Sequence, residues 1–171
     1  MKRIDDWQVK NTMQTAIIDG EEALTYRELE ERVQERAKIL AGIPQKVILA
    51  PMSNDLDQLI NFLALIRAEK VAVPVNAGYS DQGLRDILNQ FEAPLVLTDI
   101  HTISEKAAVP LDSAEYASPS DLAFIGFTSG TTGQPKGYRR THQSWVKSFE
   151  GTNALIRQSS NQSATVFGSM H

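Results

Sequence analysis

Short apolar runs that alternate with amphipathic helices constrain this chain more than any other feature. Lys46 to Ala50 (KVILA), Val71 to Val75 (VAVPV), Pro94 to Thr98 (PLVLT) and Leu122 to Phe127 (LAFIGF) are too short for helices and apolar almost throughout. Parallel strands covered on both faces have that look. Between them lie stripes at helical spacing. The first carries Leu29, Val33, Ala37 and Leu40, with Thr25 and Glu28 as a capping box and Gly42 and Pro44 as its stop. The second, capped by Ser53 or Asn54, carries Leu56, Leu59, Ile60, Leu63 and Ile66; the third, capped by Ser80, carries Leu84, Ile87, Leu88 and Phe91. This rhythm predicts an α/β fold, a mainly parallel sheet flanked by helices. Pro74 inside VAVPV predicts a sheet edge or a strand end. A short apolar piece ends at the Asp19-Gly20 turn signal. Tyr138 to Thr141 reads as a short strand, His142 to Ile156 as a helix with Trp145 and Phe149 in the core, and Thr165 to Gly168 as one more strand.

A chain of 171 residues, 42% hydrophobic and 22% charged, has material for one globular domain with a real core. Its net charge of −4 argues against nucleic acid as a partner, because phosphate backbones recruit basic patches. With no cysteine, disulfides, thiolate metal sites and a cysteine nucleophile are excluded. Histidines 101, 142 and 171 lack metal-ligand spacing. No apolar run is long enough to span a membrane, and the basic N-terminus lacks an apolar segment of the signal-peptide kind. A cytoplasmic location is the expectation.

The stretch Phe127 to Gly137, FTSGTTGQPKG, follows directly on an apolar strand. In parallel sheets ligands sit beyond the carboxyl ends of strands. Glycines let a backbone approach a ligand closely, and the four hydroxyls of Thr128, Ser129, Thr131 and Thr132 offer donors beside a cation, Lys136. The Walker pattern fails, because the residues five after Gly126, Gly130 and Gly133 are Thr131, Pro135 and Tyr138. A nucleophile elbow around Ser129 fails, since Phe127 stands where glycine is needed. These residues leave two readings open: an anion-binding loop, or a flexible surface loop rich in glycine and hydroxyls.

The same eleven residues resemble the signature loop of the ANL adenylating superfamily, which includes acyl-CoA synthetases, peptide-synthetase adenylation domains and luciferases. Leu24 to Leu29 (LTYREL) resembles that family's early helix start, and Ala64 to Asn76 its second core motif, with Glu69-Lys70 where a glycine is usual. Thr141-His142 matches the pair that follows the loop, whereas Tyr138-Arg139-Arg140 is less typical. The resemblance implies that residues 1–171 are the N-terminal part of a large AMP-binding domain, with the C-terminal part and lid domain absent. It is most like bacterial fatty-acid–CoA ligases, which are AMP-forming acid–thiol ligases.

By that resemblance, Thr128, Ser129, Gly130, Thr131, Thr132 and Gly133 hold the β- and γ-phosphates of ATP, and Lys136 assists as a dispensable lysine in a mobile loop. His171 falls where an acyl-pocket motif begins, so it is the candidate substrate residue. Small carboxylic acids, ATP and coenzyme A are the implied partners, with a carrier protein as the alternative acceptor and a non-catalytic binding module as a further alternative. A magnesium-binding glutamate, a ribose aspartate and a lid lysine belong to later motifs that the chain lacks. No catalytic residue is therefore expected here, and residues 1–171 alone are expected to be inactive. Arg139 and Arg140 read as a solvated face with alternating directions, and Glu28 and Arg32 as a helical ion pair.

Overall fold

The computed structural model describes residues 12–52, 55–76, 80–91, 95–96, 122–128 and 136–156. The predicted strand at 165–168 lies outside them. The chain opens with an antiparallel hairpin, β1 (Thr15–Asp19) and β2 (Glu22–Thr25), of which only the first strand was legible in the sequence. Asp19 pairs with Glu22, so the turn is Gly20-Glu21, and Gly20 takes φ +58°, a conformation suited to glycine.

Helix α1 (Tyr26–Ala41) starts at the expected capping box. The Glu28 N–H donates to the Thr25 hydroxyl at 3.3 Å, and the Thr25 N–H donates back to the Glu28 carboxylate at 2.8 Å. The Thr25 N–H and, second to it, the Thr25 hydroxyl, which donates to the same carboxylate at 2.8 Å, hold the Glu28 carboxyl below the usual carboxylate range, with Arg32 contributing least. Arg32 itself pairs with Glu22 of β2 at 2.8 Å. The four predicted stripe residues of α1 are all buried.

After β3 (Val47–Met52) comes α2 (Leu56–Arg67), whose N-cap is Asp55 rather than the expected Ser53 or Asn54. The Asp55 carboxylate accepts from the Gln58 N–H at 2.8 Å, and Asp19 accepts from the Leu56 N–H at 3.0 Å, tying the hairpin to this helix. Arg67 to Glu30 at 2.6 Å and Arg36 to Asp57 at 2.8 Å clamp α2 against α1. The chain then turns through Glu69 at φ +60° into β4 (Val71–Asn76). Next come α3 (Asp81–Leu88), capped by Ser80 as expected, and β5 (Leu95–Val96). The strands β6 (Leu122–Thr128) and β7 (Lys136–Thr141) and helix α4 (His142–Ile156) complete the described structure.

The main sheet runs in the order β5-β3-β4-β6-β7. All neighbours are parallel except β6 and β7. Strand β4 is therefore central, which corrects the edge reading of Pro74. The β4–β6 register is confined to Ala72↔Phe124, so no ladder on that side reaches the residue without an N–H. Alternation along the strands sorts the core. Ile48, Ala50, Met52 and Ala72 pack with α1 and α2, whereas Leu49, Val71, Val73 and Val75 pack with Ile87 and its neighbours in α3.

Candidate functional site

Strands β3, β4 and β6 run parallel, so Met52, Asn76 and Thr128 end at one edge of the sheet. The candidate loop leaves from that edge. Strand β7 returns beside β6 in antiparallel register, with Thr128 opposite Lys136. Residues 129–135 connect these two strands. Ser129, Gly130, Thr131, Thr132 and Gly133 lie outside the described residues, as does His171. The structure places Thr128 and Lys136 as the facing pair at the neck. Lys136 is the first residue of β7, two residues ahead of the predicted strand start, and it is exposed. Its backbone is held by strand pairing opposite Thr128.

Two further pairs below the neck each join an aromatic residue to a glycine: Gly126↔Tyr138 and Phe127↔Gly137. A Cβ on Gly126 would come within 2.5 Å of Tyr138 Cζ and Oη. The ring therefore lies across the glycine in space that a side chain would fill. A Cβ on Gly137 would meet Phe127 Cε1 at 3.2 Å. The Phe127 ring is wedged edge-on against Phe91 at 5.8 Å, and Tyr138 stands edge-on to Phe124 at 5.7 Å. These neck residues escaped the reading of the sequence. Gly126 inside an apolar strand was the available signal, because an isolated strand glycine marks close approach by another group.

The other basic residues of this region do not converge on the neck. Thr141 pairs with Leu122 at the opposite end of the hairpin. Five strand steps of roughly 3.4 Å put it about 17 Å from Lys136. There Thr141 and Ser144 cap α4 reciprocally, each backbone N–H donating to the other's hydroxyl at 3.1 Å. The Thr-His pair thus starts a helix, and His142 is buried. Arg140 sits 4.8 Å over the Trp145 ring and donates to Ser144 Oγ at 3.0 Å and Ser148 Oγ at 2.6 Å. It is an anchor of α4, while Arg139 is exposed. Trp145 packs edge-on against Phe124, yet Phe149, expected in the core, is 45% exposed. Among the described residues no group of three or more His, Cys, Asp or Glu could hold a metal ion. No helix among them is long and apolar enough to cross a membrane.

Residues 4–116 and 101–170 match the family described as AMP-binding enzyme. Tyrocidine synthase 2 of Brevibacillus parabrevis is 32% identical over 75% of this chain and 4% of its own length. The "Putative long chain fatty acid-CoA ligase VraA" of Staphylococcus aureus is 30% identical over 82% of this chain and 31% of its own. The "Polyketide synthase-nonribosomal peptide synthetase hybrid himA" of Aspergillus japonicus is 29% identical over 91% of this chain and 4% of its own. Among solved structures, E. coli MenE superposes with a TM-score of 0.62 at 25% identity, over 84% of this chain and 34% of that one. The chain thus spans about a third or less of these relatives' lengths.

Proposed function

This chain belongs to the AMP-binding enzyme family, and we propose that it supplies the triphosphate-binding loop of an acyl-adenylating acid–thiol ligase. The observation that carries this reading is the placement of the motif. The two ends of FTSGTTGQPKG, Phe127-Thr128 and Lys136-Gly137, pair with each other at the carboxyl edge of a parallel sheet, with Lys136 opposite Thr128. Thr128, Ser129, Gly130, Thr131, Thr132 and Gly133 hold the β- and γ-phosphates, with Thr131 and Thr132 as direct hydroxyl donors. Lys136 adds positive charge from a fixed backbone position. A carboxylate oxygen attacks the α-phosphate and pyrophosphate leaves, giving an acyl-adenylate. A thiol then attacks the acyl carbon, AMP departs, and a thioester remains.

A neck with a cation at its mouth fits a triphosphate. Among the described residues no cluster would hold magnesium; when bound, it would supply positive charge to the phosphates. We place the acid among fatty acids and the thiol on coenzyme A, as the likeness to VraA supports. The likeness to the himA hybrid, at nearly the same identity, supports a second reading in which the thiol belongs to a carrier protein.

The loop is tested by titrating the chain with a fluorescent ATP analogue. Replacing Thr131 and Thr132 together by Ala should weaken binding at least about tenfold, because hydrogen bonds to charged groups are among the stronger ones. Equal affinity in the double variant would refute the assignment. Thioester formation with coenzyme A against carrier protein, in an enzyme that carries this chain, separates the two acceptors.

A further inference from the structure

We infer that Tyr138 is a positioning residue for the loop: laid across Gly126, it holds the hairpin neck from which residues 129–135 depart. The neck has a built-in weakness. Glycine in a strand gives up packing and costs backbone entropy, and here one glycine stands in each of the two pairs next to Thr128↔Lys136. Each is covered by an aromatic ring from the opposite strand. Phe127 covers Gly137 on the face packed against α3, and Tyr138 covers Gly126 on the other face. Cross-strand pairs are the unit of sheet stability, and an aromatic ring over a strand glycine restores what the missing side chain loses.

The two covers differ in support. Phe127 is wedged against Phe91, and both partly buried rings pack against the core. Tyr138 is 44% exposed and leans on Phe124, which also carries Phe62 at 6.1 Å and Trp145 at 5.7 Å. Tyr138 thus joins the neck to α2 and α4 through a single ring. When the neck pairs are closed, the ends of the loop are fixed at strand separation and its donors can be held at one ligand. When they open, only a fraction of molecules is competent, and affinity falls by that fraction. This consequence for the nucleotide rests on the loop reading proposed above; the role of Tyr138 in the neck does not.

The test is amide hydrogen exchange at residues 126–128 and 136–138 of the whole chain, without nucleotide. Tyr138→Ala should speed exchange there about two- to tenfold, the range expected for one aromatic pair, with exchange in β3 and β4 unchanged. Tyr138→Phe should stay close to the wild-type rate, because Cζ and Cε1 of the ring still cover Gly126 when the neighbouring Oη is lost. Gly126→Ala should reproduce Tyr138→Ala, since its methyl group displaces the far end of the ring. The double variant should be no faster than either single one, as expected of residues that act through one contact. Unchanged exchange in Tyr138→Ala, or effects that multiply in the double variant, would overturn the inference. The fluorescent ATP analogue forms a second arm. Affinity should fall in Tyr138→Ala by no more than the exchange factor, because binding senses only the loss of closed molecules, and should recover in Tyr138→Phe. A wild-type chain that bound no analogue would count against the loop reading, while the exchange result would still decide the role of Tyr138.

Discussion

The corner between α2 and β4 and the neck between β6 and β7 use glycine in opposite ways. At the corner the backbone turns through positive φ, where glycine is at ease, yet the residue is Glu69. In the neck the backbone is ordinary strand, where glycine is a poor choice, yet Gly126 and Gly137 stand there. The corner tolerates Glu69 because its hydrogen bonds are complete. The Glu69 N–H donates to Ile66 O at 3.1 Å and the Lys70 N–H to Leu65 O at 2.9 Å, the two bonds of a Schellman motif. Lys70 Nζ donates to Ile43 O at 2.5 Å, and Lys46 Nζ donates to Glu69 O, so each lysine binds the loop beside the other's strand. The neck uses glycine for space. A glycine is thus read correctly only with its neighbours in view: one site wants its conformational freedom, the other its missing Cβ.

The largest effect should come from removing the packing that holds the corner. Leu65 is fully buried between the sheet and α1, so Leu65→Ala should cost about 3 kcal/mol in a urea titration. A cost near zero would show that the corner does not depend on its core. Next, Glu69→Gly should stabilise the chain by about 1 kcal/mol by relieving the left-handed strain, seen as a higher urea midpoint with unchanged slope. A lower midpoint would mean that the Glu69 side chain contributes more than its backbone costs.

The neck predicts a smaller and ordered pair of effects. Gly137→Ala presses on Phe127, which the core holds in place, and should cost about 1 kcal/mol. Gly126→Ala meets only the tip of the half-exposed Tyr138 ring, which can swing aside, and should cost less, about 0.5 kcal/mol, the low end of the range expected at the neck. Thermal melts that reversed this order would break the account of the two faces.

The smallest effect is a pH dependence at the corner. Burial, and then the nearby positive charge of Lys46, push the Lys70 amine below its ordinary value of 10.5. Below the folded pKa, both states are protonated and the folded state bears the full penalty of the buried charge. As pH rises from there toward 10.5, the folded amine is neutral while the unfolded one still binds a proton, so this group's contribution to stability increases. Denaturation series of wild type and Lys70→Met should therefore differ in slope over that window, with the steeper rise in wild type. Parallel slopes would place the Lys70 amine in water.

What the sequence determined by itself is the local part of this molecule. Thr25, Glu28 and the Leu29-Val33-Ala37-Leu40 stripe interact across three or four residues of one helix, so spacing alone reveals them. The same holds for Ser80 as a cap, for the short apolar strands and for the loop motif in its order along the chain. The tertiary structure decided what depends on partners distant in sequence. It put β4 at the centre despite Pro74, gave Arg32 to Glu22, chose Asp55 as the cap of α2, and left Phe149 exposed. It also turned β7 back along β6, which brought the two ends of the FTSGTTGQPKG motif together, set Lys136 opposite Thr128 and laid Tyr138 over Gly126. The physical reason is range. Caps and helical stripes close within a turn, whereas strand order and the cover on a glycine depend on which segments meet, and a local pattern does not specify that.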